Sequence, residues 1–160
     1  MLRRPLYRVG GQFDGAPRER RSDVARGRLL TMWPRIEGLR VMELGFPGEQ
    51  RERLNGYVLH GTKRATAGLL AEYAEEAEPL EHVGEVLVLV DSTGAAVARI
   101  RVTEVVQRRF AEVPWEFADA EGEGFRDLEH WRDGHRRHWA KDGRDIGDDT
   151  DLVCLAFDLL

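Results

Sequence analysis

Two short segments of this chain contain the side chains that an amide-cleaving site would need. Lys63 and Thr66 lie three residues apart just after Gly61, and Glu123 lies in segment 120–124, which reads AEGEG. A threonine hydroxyl attacks a carbonyl only when a base takes its proton, and desolvation in a cleft favours the neutral, basic form of a lysine. These residue types therefore fit a small site in which Thr66 is the nucleophile, Lys63 is its base and a carboxylate of the AEGEG segment orients or protonates the leaving amine.

The same three residues also have an ordinary structural interpretation. Thr66 would be the N-cap of a helix over 66–77, since threonine is favoured at that position. Lys63 would then be a solvated surface lysine and Glu123 an acid in a loop. Motifs this short are common by chance, so the residues alone leave both interpretations open.

Charge divides the chain into two regions. Residues 1–28 contain eight arginines and three acids, a net charge of +5, so the total of −5 leaves −10 for residues 29–160. We expect 1–28 to be a basic, flexible arm that either stays unpacked or touches RNA, and 29–160 to be one domain. An acidic domain does not bind nucleic acid over its whole surface, so RNA or a nucleotide would need a local basic cleft.

Hydropathy and cysteine content indicate a cytoplasmic protein. The sequence has no apolar run of 18 residues and no apolar N-terminal segment typical of a signal peptide. Cys154 is the single cysteine, so no internal disulfide forms. It lies in the apolar run 152–157, which predicts a buried and unreactive thiol.

The elements that would position the candidate site follow from periodicity and from turn residues. Strands are predicted at 39–44, 86–90, 96–105 and 151–160, helices at 47–59, 66–77 and 127–141, and a loop or short helix at 115–120. Because short strands and helices do not alternate strictly, the pattern favours an α+β fold around a small curled sheet.

From about Leu39 to its end the sequence resembles the ASCH domain family, in its longer bacterial branch. The motifs that carry the resemblance are GTKRAT at 61–66, LAEY at 70–73, VG at 83–84, VDSTG at 90–94, AEGEG at 120–124, WRDGH at 131–135 and the apolar strand after the acids at 148–151. The resemblance implies a PUA-like barrel or curled sheet beside a cleft for a nucleoside or for RNA.

Two activities are implied by that family. Short members hydrolyse N4-acetylcytidine with a lysine, a threonine and a glutamate, which Lys63, Thr66 and Glu123 match. Longer members resemble a metal-assisted ribonuclease that acts on single strands. Two functional residues of that ribonuclease, a tyrosine and a lysine, are matched here by Tyr57 and Lys63. The serine expected after AEGEG in such members is replaced here by the sequence FRDL.

The expected partners are thus a modified cytidine nucleoside or single-stranded RNA, either hydrolysed or only bound. No cofactor is expected, and a divalent metal is implied only by the ribonuclease alternative. The residues expected to line the cleft are Tyr57, Arg64, Arg99, Arg101, Trp115, Glu121 and Arg126. For Arg99 and Arg101 the alternative is a solvated strand face, and for Tyr57 it is the core.

Two further groups of residues invite a metal interpretation. His130, His135 and His138 lie on one predicted helix, but their spacing does not let three ligands converge from that helix alone. Asp148, Asp149 and Asp151 precede the last strand, and an acidic turn of that kind is usually solvated. We therefore expect no metal site in this protein.

Overall fold

The computed structural model describes residues 32–160, so the expected basic arm at 1–28 lies outside the described residues. The strands are β1 (Arg35–Ile36), β2 (Leu39–Met42), β3 (Ala65–Leu69), β4 (Val86–Val90), β5 (Ala96–Arg109) and β6 (Asp151–Leu159). The helices are α1 (Glu49–Leu59), α2 (Leu70–Glu75), α3 (Trp115–Ala120) and α4 (Leu128–Lys141), with a 3₁₀ turn at Phe110–Glu112.

Within the described residues, six strands form one mixed sheet in the order β1-β2-β4-β5-β6-β3, and the two edge strands of this sheet do not pair to close it. β2 and β4 are parallel, whereas the other neighbouring strands are antiparallel. β5 is the longest strand, and a register shift between Val102 and Glu104 interrupts its pairing with β6. The sheet and the four helices confirm the predicted α+β fold.

The core contains three hydrophobic clusters; helices contribute to the two larger ones, which lie on opposite faces of the sheet, and the third groups Val41, Val88 and Val90. On one face Leu54 and Val58 of α1 pack with Leu155 of β6, and on the other Trp131 and Trp139 of α4 belong to the second cluster. β6 lies between them and is buried on both sides. This arrangement places α1 and α4 on opposite sides of the strands that hold the candidate site.

Most element predictions agree with the structure because their local signals are strong. Strand 86–90 has the predicted bounds, and Asp127 caps α4 by accepting a hydrogen bond from the His130 backbone N–H at 2.8 Å. Cys154 is buried, and burial raises the pKa of its thiol to about 12, so the thiol stays protonated at neutral pH. Within residues 32–160, no helix combines the length and apolarity that crossing a bilayer requires.

The predicted helix at 66–77 is wrong. Residues Ala65–Leu69 form β3, which pairs with β6, and the helix that follows spans only Leu70–Glu75. All five residues of β3 are buried, so the strand lacks the polar–apolar alternation that marks a half-exposed strand. A short, fully buried apolar run does not distinguish strand from helix by periodicity, and pairing with β6 decides between them.

Candidate functional site

The turn after α1 fixes the backbone that carries Lys63. α1 ends at Leu59, and Gly61 adopts a φ of 81°, which reverses the chain. The backbone N–H groups of Thr62 and Lys63 both donate to the Tyr57 carbonyl at 3.0 Å. The Lys63 side chain enters the protein interior from this turn and is 1% exposed.

The AEGEG segment packs directly against that turn. The Arg64 N–H donates to the Ala120 carbonyl at 2.9 Å, which joins the end of α3 to the start of β3. Gly122 has a φ of 64°, and a Cβ atom placed there would lie 2.0 Å from the Thr62 carbonyl oxygen. Only glycine allows this approach of the two backbones.

The close approach brings Lys63 between two carboxylates. Its Nζ lies 3.2 Å from Glu123 Oε2, 3.7 Å from Glu121 Oε1 and 3.4 Å from the Glu121 carbonyl oxygen. Glu121 is fully buried, whereas the side chain of Glu123 is 9% exposed. The Lys63 ammonium thus donates hydrogen bonds to Glu123 Oε2 and to the Glu121 carbonyl, and Glu121 Oε1 lies at ion-pair distance from it.

Helix α4 supplies the remaining members of the group. The Trp131 indole N–H donates to Glu121 Oε2, and His135 Nε2 lies 3.0 Å from the same oxygen. The Trp131 and His135 rings stack with their centroids 3.9 Å apart, as the i, i+4 spacing on one helix face permits. We call Lys63, Glu121, Glu123, Trp131 and His135 the Lys63 cluster.

Both carboxylates of the Lys63 cluster are ionised at neutral pH. Burial alone would raise the pKa of Glu121, but the charges of His135 and Lys63 outweigh burial and hold that pKa well below its usual range. Burial likewise opposes ionisation of Glu123, and Lys63 overcomes it, so the pKa of Glu123 is also lowered. The cluster is therefore a network of buried charges.

Thr66 lies in β3, not at a helix start, so its predicted capping role is wrong. α2 begins at Leu70, after an extended Leu69. Thr66 pairs with Leu155, and cross-strand partners point to the same face of a sheet. The Thr66 side chain is fully buried, and its hydroxyl has no hydrogen-bond partner within the described residues. Such an unpaired buried hydroxyl costs about 1–3 kcal/mol and requires an explanation.

The other residues expected to line a cleft are dispersed. Tyr57 and Trp115 are half-buried and pack on opposite hydrophobic clusters. Arg64 and Arg126 are exposed near the two loops of the site. Arg99 and Arg101 are exposed on the outer face of β5, where Arg99 forms an ion pair with Glu37. Of the whole predicted set, the Lys63 cluster contains Lys63, Glu121 and Glu123.

Sequence reasoning missed Trp131 and His135 as polar members of the site. It assigned both to the hydrophobic stripe of α4, and both are indeed buried. The signal that could have identified them is their i, i+4 spacing on a helix that follows a glycine-flanked pair of acids. A buried indole N–H and imidazole need polar partners, and Glu121 is the partner they reach.

The histidines of α4 do not converge. His138 contacts Gln50 at 3.4 Å, and His130 accepts a hydrogen bond from the Arg126 N–H at 3.2 Å. Asp148 and Asp149 are exposed and pair with arginines at 3.5 and 3.6 Å.

Within residues 32–160, the carboxylate oxygens and imidazole nitrogen of Glu121, Glu123 and His135 do come within 4.8 Å of one another. The Lys63 ammonium, however, already neutralises part of that group.

Gly122 offers a direct test of the contact between the two loops. We expect Gly122→Ala to lower the free energy of unfolding by about 2–4 kcal/mol, because the new Cβ overlaps Thr62 and the backbone is strained. Gly124→Ala is the matched control, since Gly124 has a φ of 80° but no atom within 4 Å of the added Cβ. Urea unfolding of both variants separates overlap from strain, and equal losses would contradict the packing described here.

Comparison with known proteins identifies the family and agrees with the fold. The family model of the ASCH domain matches residues 41–160. Protein EF3133 from Enterococcus faecalis V583 is 30% identical, with 74% of each chain covered and a TM-score of 0.66. An ASCH domain from Lactobacillus crispatus JV V101 is 26% identical, with 73% of this chain and 76% of that chain covered and a TM-score of 0.65. No curated protein sequence matches the chain significantly. The protein is therefore a member of the ASCH domain family, with its PUA-like α+β fold.

Proposed function

We propose that this ASCH domain hydrolyses the acyl amide on the exocyclic amine of an N4-acylated cytidine such as N4-acetylcytidine. The observation that carries the proposal is the ion pair of Lys63 with Glu123 at 3.2 Å, formed between residues far apart in sequence. The buried Thr66 hydroxyl, without a hydrogen-bond partner within the described residues, supports it. Unsatisfied buried hydroxyls are expensive, and catalytic sites are one place where they persist.

The proposed reaction has two steps. Thr66 Oγ attacks the acyl carbon, its proton passes to the site's base, the bond from that carbon to the exocyclic nitrogen breaks, and the amine leaves with a proton. Water then attacks the acyl-threonine, which releases the carboxylic acid and restores the hydroxyl. In the ion-paired state Glu123 is the carboxylate able to take and return the proton, and the Lys63 ammonium is suited to stabilise the oxyanion.

The charge balance of the site favours this reaction over anchoring of a phosphate. Lys63 already has Glu121 and Glu123 within 3.7 Å. A phosphate brought to Lys63 would therefore meet two carboxylates, and like charges at such short distances repel strongly. The acylated base of a nucleoside is uncharged and meets no such repulsion.

A ribonuclease is less well supported than an amidohydrolase. The residue that follows AEGEG is Phe125, and its ring lies 5.6 Å from the His135 ring and 5.4 Å from the His130 ring. Phe125 thus places an aromatic ring at the position where the ribonuclease-like relatives are expected to have a serine. No hydroxyl is available at this position.

Glu123→Gln tests the proposal directly. We expect wild-type protein to convert N4-acetylcytidine to cytidine, followed by the change in ultraviolet absorbance, and the variant to lose at least about 100-fold in kcat because the amide cannot accept a proton. Glu116→Gln is the matched control, since Glu116 is exposed on α3. We expect it to retain wild-type activity.

The same assay separates catalysis from binding alone. If the wild-type protein binds N4-acetylcytidine or a single-stranded oligoribonucleotide in calorimetry without any turnover, the amidohydrolase proposal is wrong. The domain would then be a binding module. Cleavage of the oligoribonucleotide that requires added Mn²⁺ would indicate the ribonuclease instead.

A further inference from the structure

The two ring nitrogens of His135 face two acceptors. Nδ1 lies 2.8 Å from the Trp131 carbonyl oxygen, which can only accept, so Nδ1 carries a proton. In a neutral ring Nε2 would then carry a lone pair 3.0 Å from Glu121 Oε2, and Nε2 makes no aligned hydrogen bond with any described residue. Two such acceptors repel each other unless a positive charge, either a proton or a metal ion, lies between them.

The charges around His135 favour a proton over a metal ion. The carboxylates of Glu121 and Glu123 approach the ring from the AEGEG segment, and Lys63 lies beyond them. The aromatic neighbours of the ring within the described residues, Phe125, Trp131 and Trp139, are uncharged. Among the described residues, a protonated His135 and Lys63 give the site two positive charges that balance the two carboxylates. A divalent ion beside the Lys63 ammonium would leave an uncompensated buried positive charge, which is costly.

We propose that His135 is an imidazolium in this arrangement and a positioning residue, which fixes the Glu121 carboxylate and through it the Lys63 ammonium. Trp131 assists by donating its indole N–H to the same Glu121 oxygen. Helix α4 thus acts on Lys63 through Glu121, because Trp131 and His135 hold the Glu121 carboxylate that lies beside the ammonium. The effect on turnover rests on the proposed amidohydrolase function, whereas the charge state of His135 does not.

The charge state is measured by nuclear magnetic resonance on the uniformly ¹⁵N-labelled full chain. Long-range ¹H–¹⁵N spectra distinguish an imidazolium from a neutral ring, and His135→Gln assigns the signal. We expect His135 to stay doubly protonated at about pH 8, where an imidazole free in water is neutral. A neutral His135 at that pH would overturn the proposal. A spectrum that changes on adding EDTA or Zn²⁺ would also overturn it, in favour of a metal.

The positioning role is measured on Lys63 itself. His135→Gln keeps an N–H donor but removes the charge, so we expect the ¹H–¹⁵N signal of the Lys63 ammonium to shift. We also expect kcat to fall about 10–100-fold at little change in KM, because a displaced catalytic group slows the chemical step. His138→Gln is the matched control on the same helix, and it should leave both unchanged.

An unmoved Lys63 signal in His135→Gln would show that His135 does not position the lysine. Absence of wild-type turnover would overturn the amidohydrolase function. The charge of His135 and its effect on Lys63 would still be decided by their nuclear magnetic resonance spectra. Failure of the two proposals is therefore distinguishable.

Discussion

Thr66→Val should reduce hydrolysis of N4-acetylcytidine by at least about 10³-fold while leaving the domain at least as stable as the wild type. Removing a nucleophile removes the covalent route, and losses of this size or larger are typical. Stability is kept because valine preserves the branched shape in β3, and the lost hydroxyl has no hydrogen-bond partner within the described residues. The measurements are kcat and the midpoint of thermal unfolding.

Thr103→Val is the control for this substitution, since Thr103 is an exposed residue of β5 and should affect neither quantity. Retained turnover in Thr66→Val would show that its hydroxyl is not the nucleophile. A marked fall in thermal stability would show instead that the hydroxyl has a structural partner. Either result would remove the main reason to regard Thr66 as catalytic.

Lys63→Met should be the most destabilising single substitution in the site, by about 3–5 kcal/mol at neutral pH. Methionine has a similar length but no charge, so Glu121 and Glu123 lose the ammonium that lies 3.7 and 3.2 Å away. Removing one partner of a buried ion pair leaves the other charge buried without compensation. Urea unfolding across a range of pH measures the loss.

The pH dependence of that loss has a defined sign. In the wild type the pKa values of Glu121 and Glu123 are lowered, so their ionisation stabilises the fold above the unfolded value of about 4.3 and this contribution disappears as the pH falls. In Lys63→Met a main cause of the lowering is gone. We therefore expect the difference between the two proteins to be largest at neutral pH and to shrink below about pH 4. A difference that is independent of pH would contradict the ion-pair account.

Lys63→Arg completes the comparison because it keeps the positive charge. We expect a smaller loss of stability than in Lys63→Met, together with loss of hydrolysis, because the planar guanidinium has a different shape and cannot place its charge where the ammonium would meet the oxyanion. If Lys63 instead anchors a phosphate, nucleotide affinity should survive in this variant. Full hydrolytic activity in Lys63→Arg would show that the lysine ammonium itself is not required for the reaction.

Local sequence signals were sufficient for most secondary structure. The apolar run at 86–90 predicted β4, and the apolar periodicity over 127–141 predicted α4, whereas its Asp127 cap was found only in the structure. These signals depend on neighbours within a few residues, such as a capping side chain or a buried stripe. The same reasoning failed at 66–77, because the choice between strand and helix there depends on pairing with β6, almost 90 positions away.

The sequence by itself determined the chemical composition of the candidate site and its family. Lys63, Thr66 and Glu123 were selected through their motifs, and their catalytic roles stay predictions. Glycines that flank two acids suit neither a helix interior nor a hydrophobic core, so the composition of the AEGEG segment alone marks it as unusual.

Only the tertiary structure distinguished the surroundings of the two acids. Glu121 is fully buried and contacts Lys63, Trp131 and His135. Glu123 also contacts Lys63, but its side chain stays partly exposed. Glu121 and Glu123 are two residues apart and chemically alike, so no local pattern separates them. Their burial depends on how closely the AEGEG segment approaches Thr62, and that distance is set by packing between α3, α4 and the start of β3. Since the charge state of each group follows from its burial and its neighbours, the electrostatics of the site emerge only when the chain is folded.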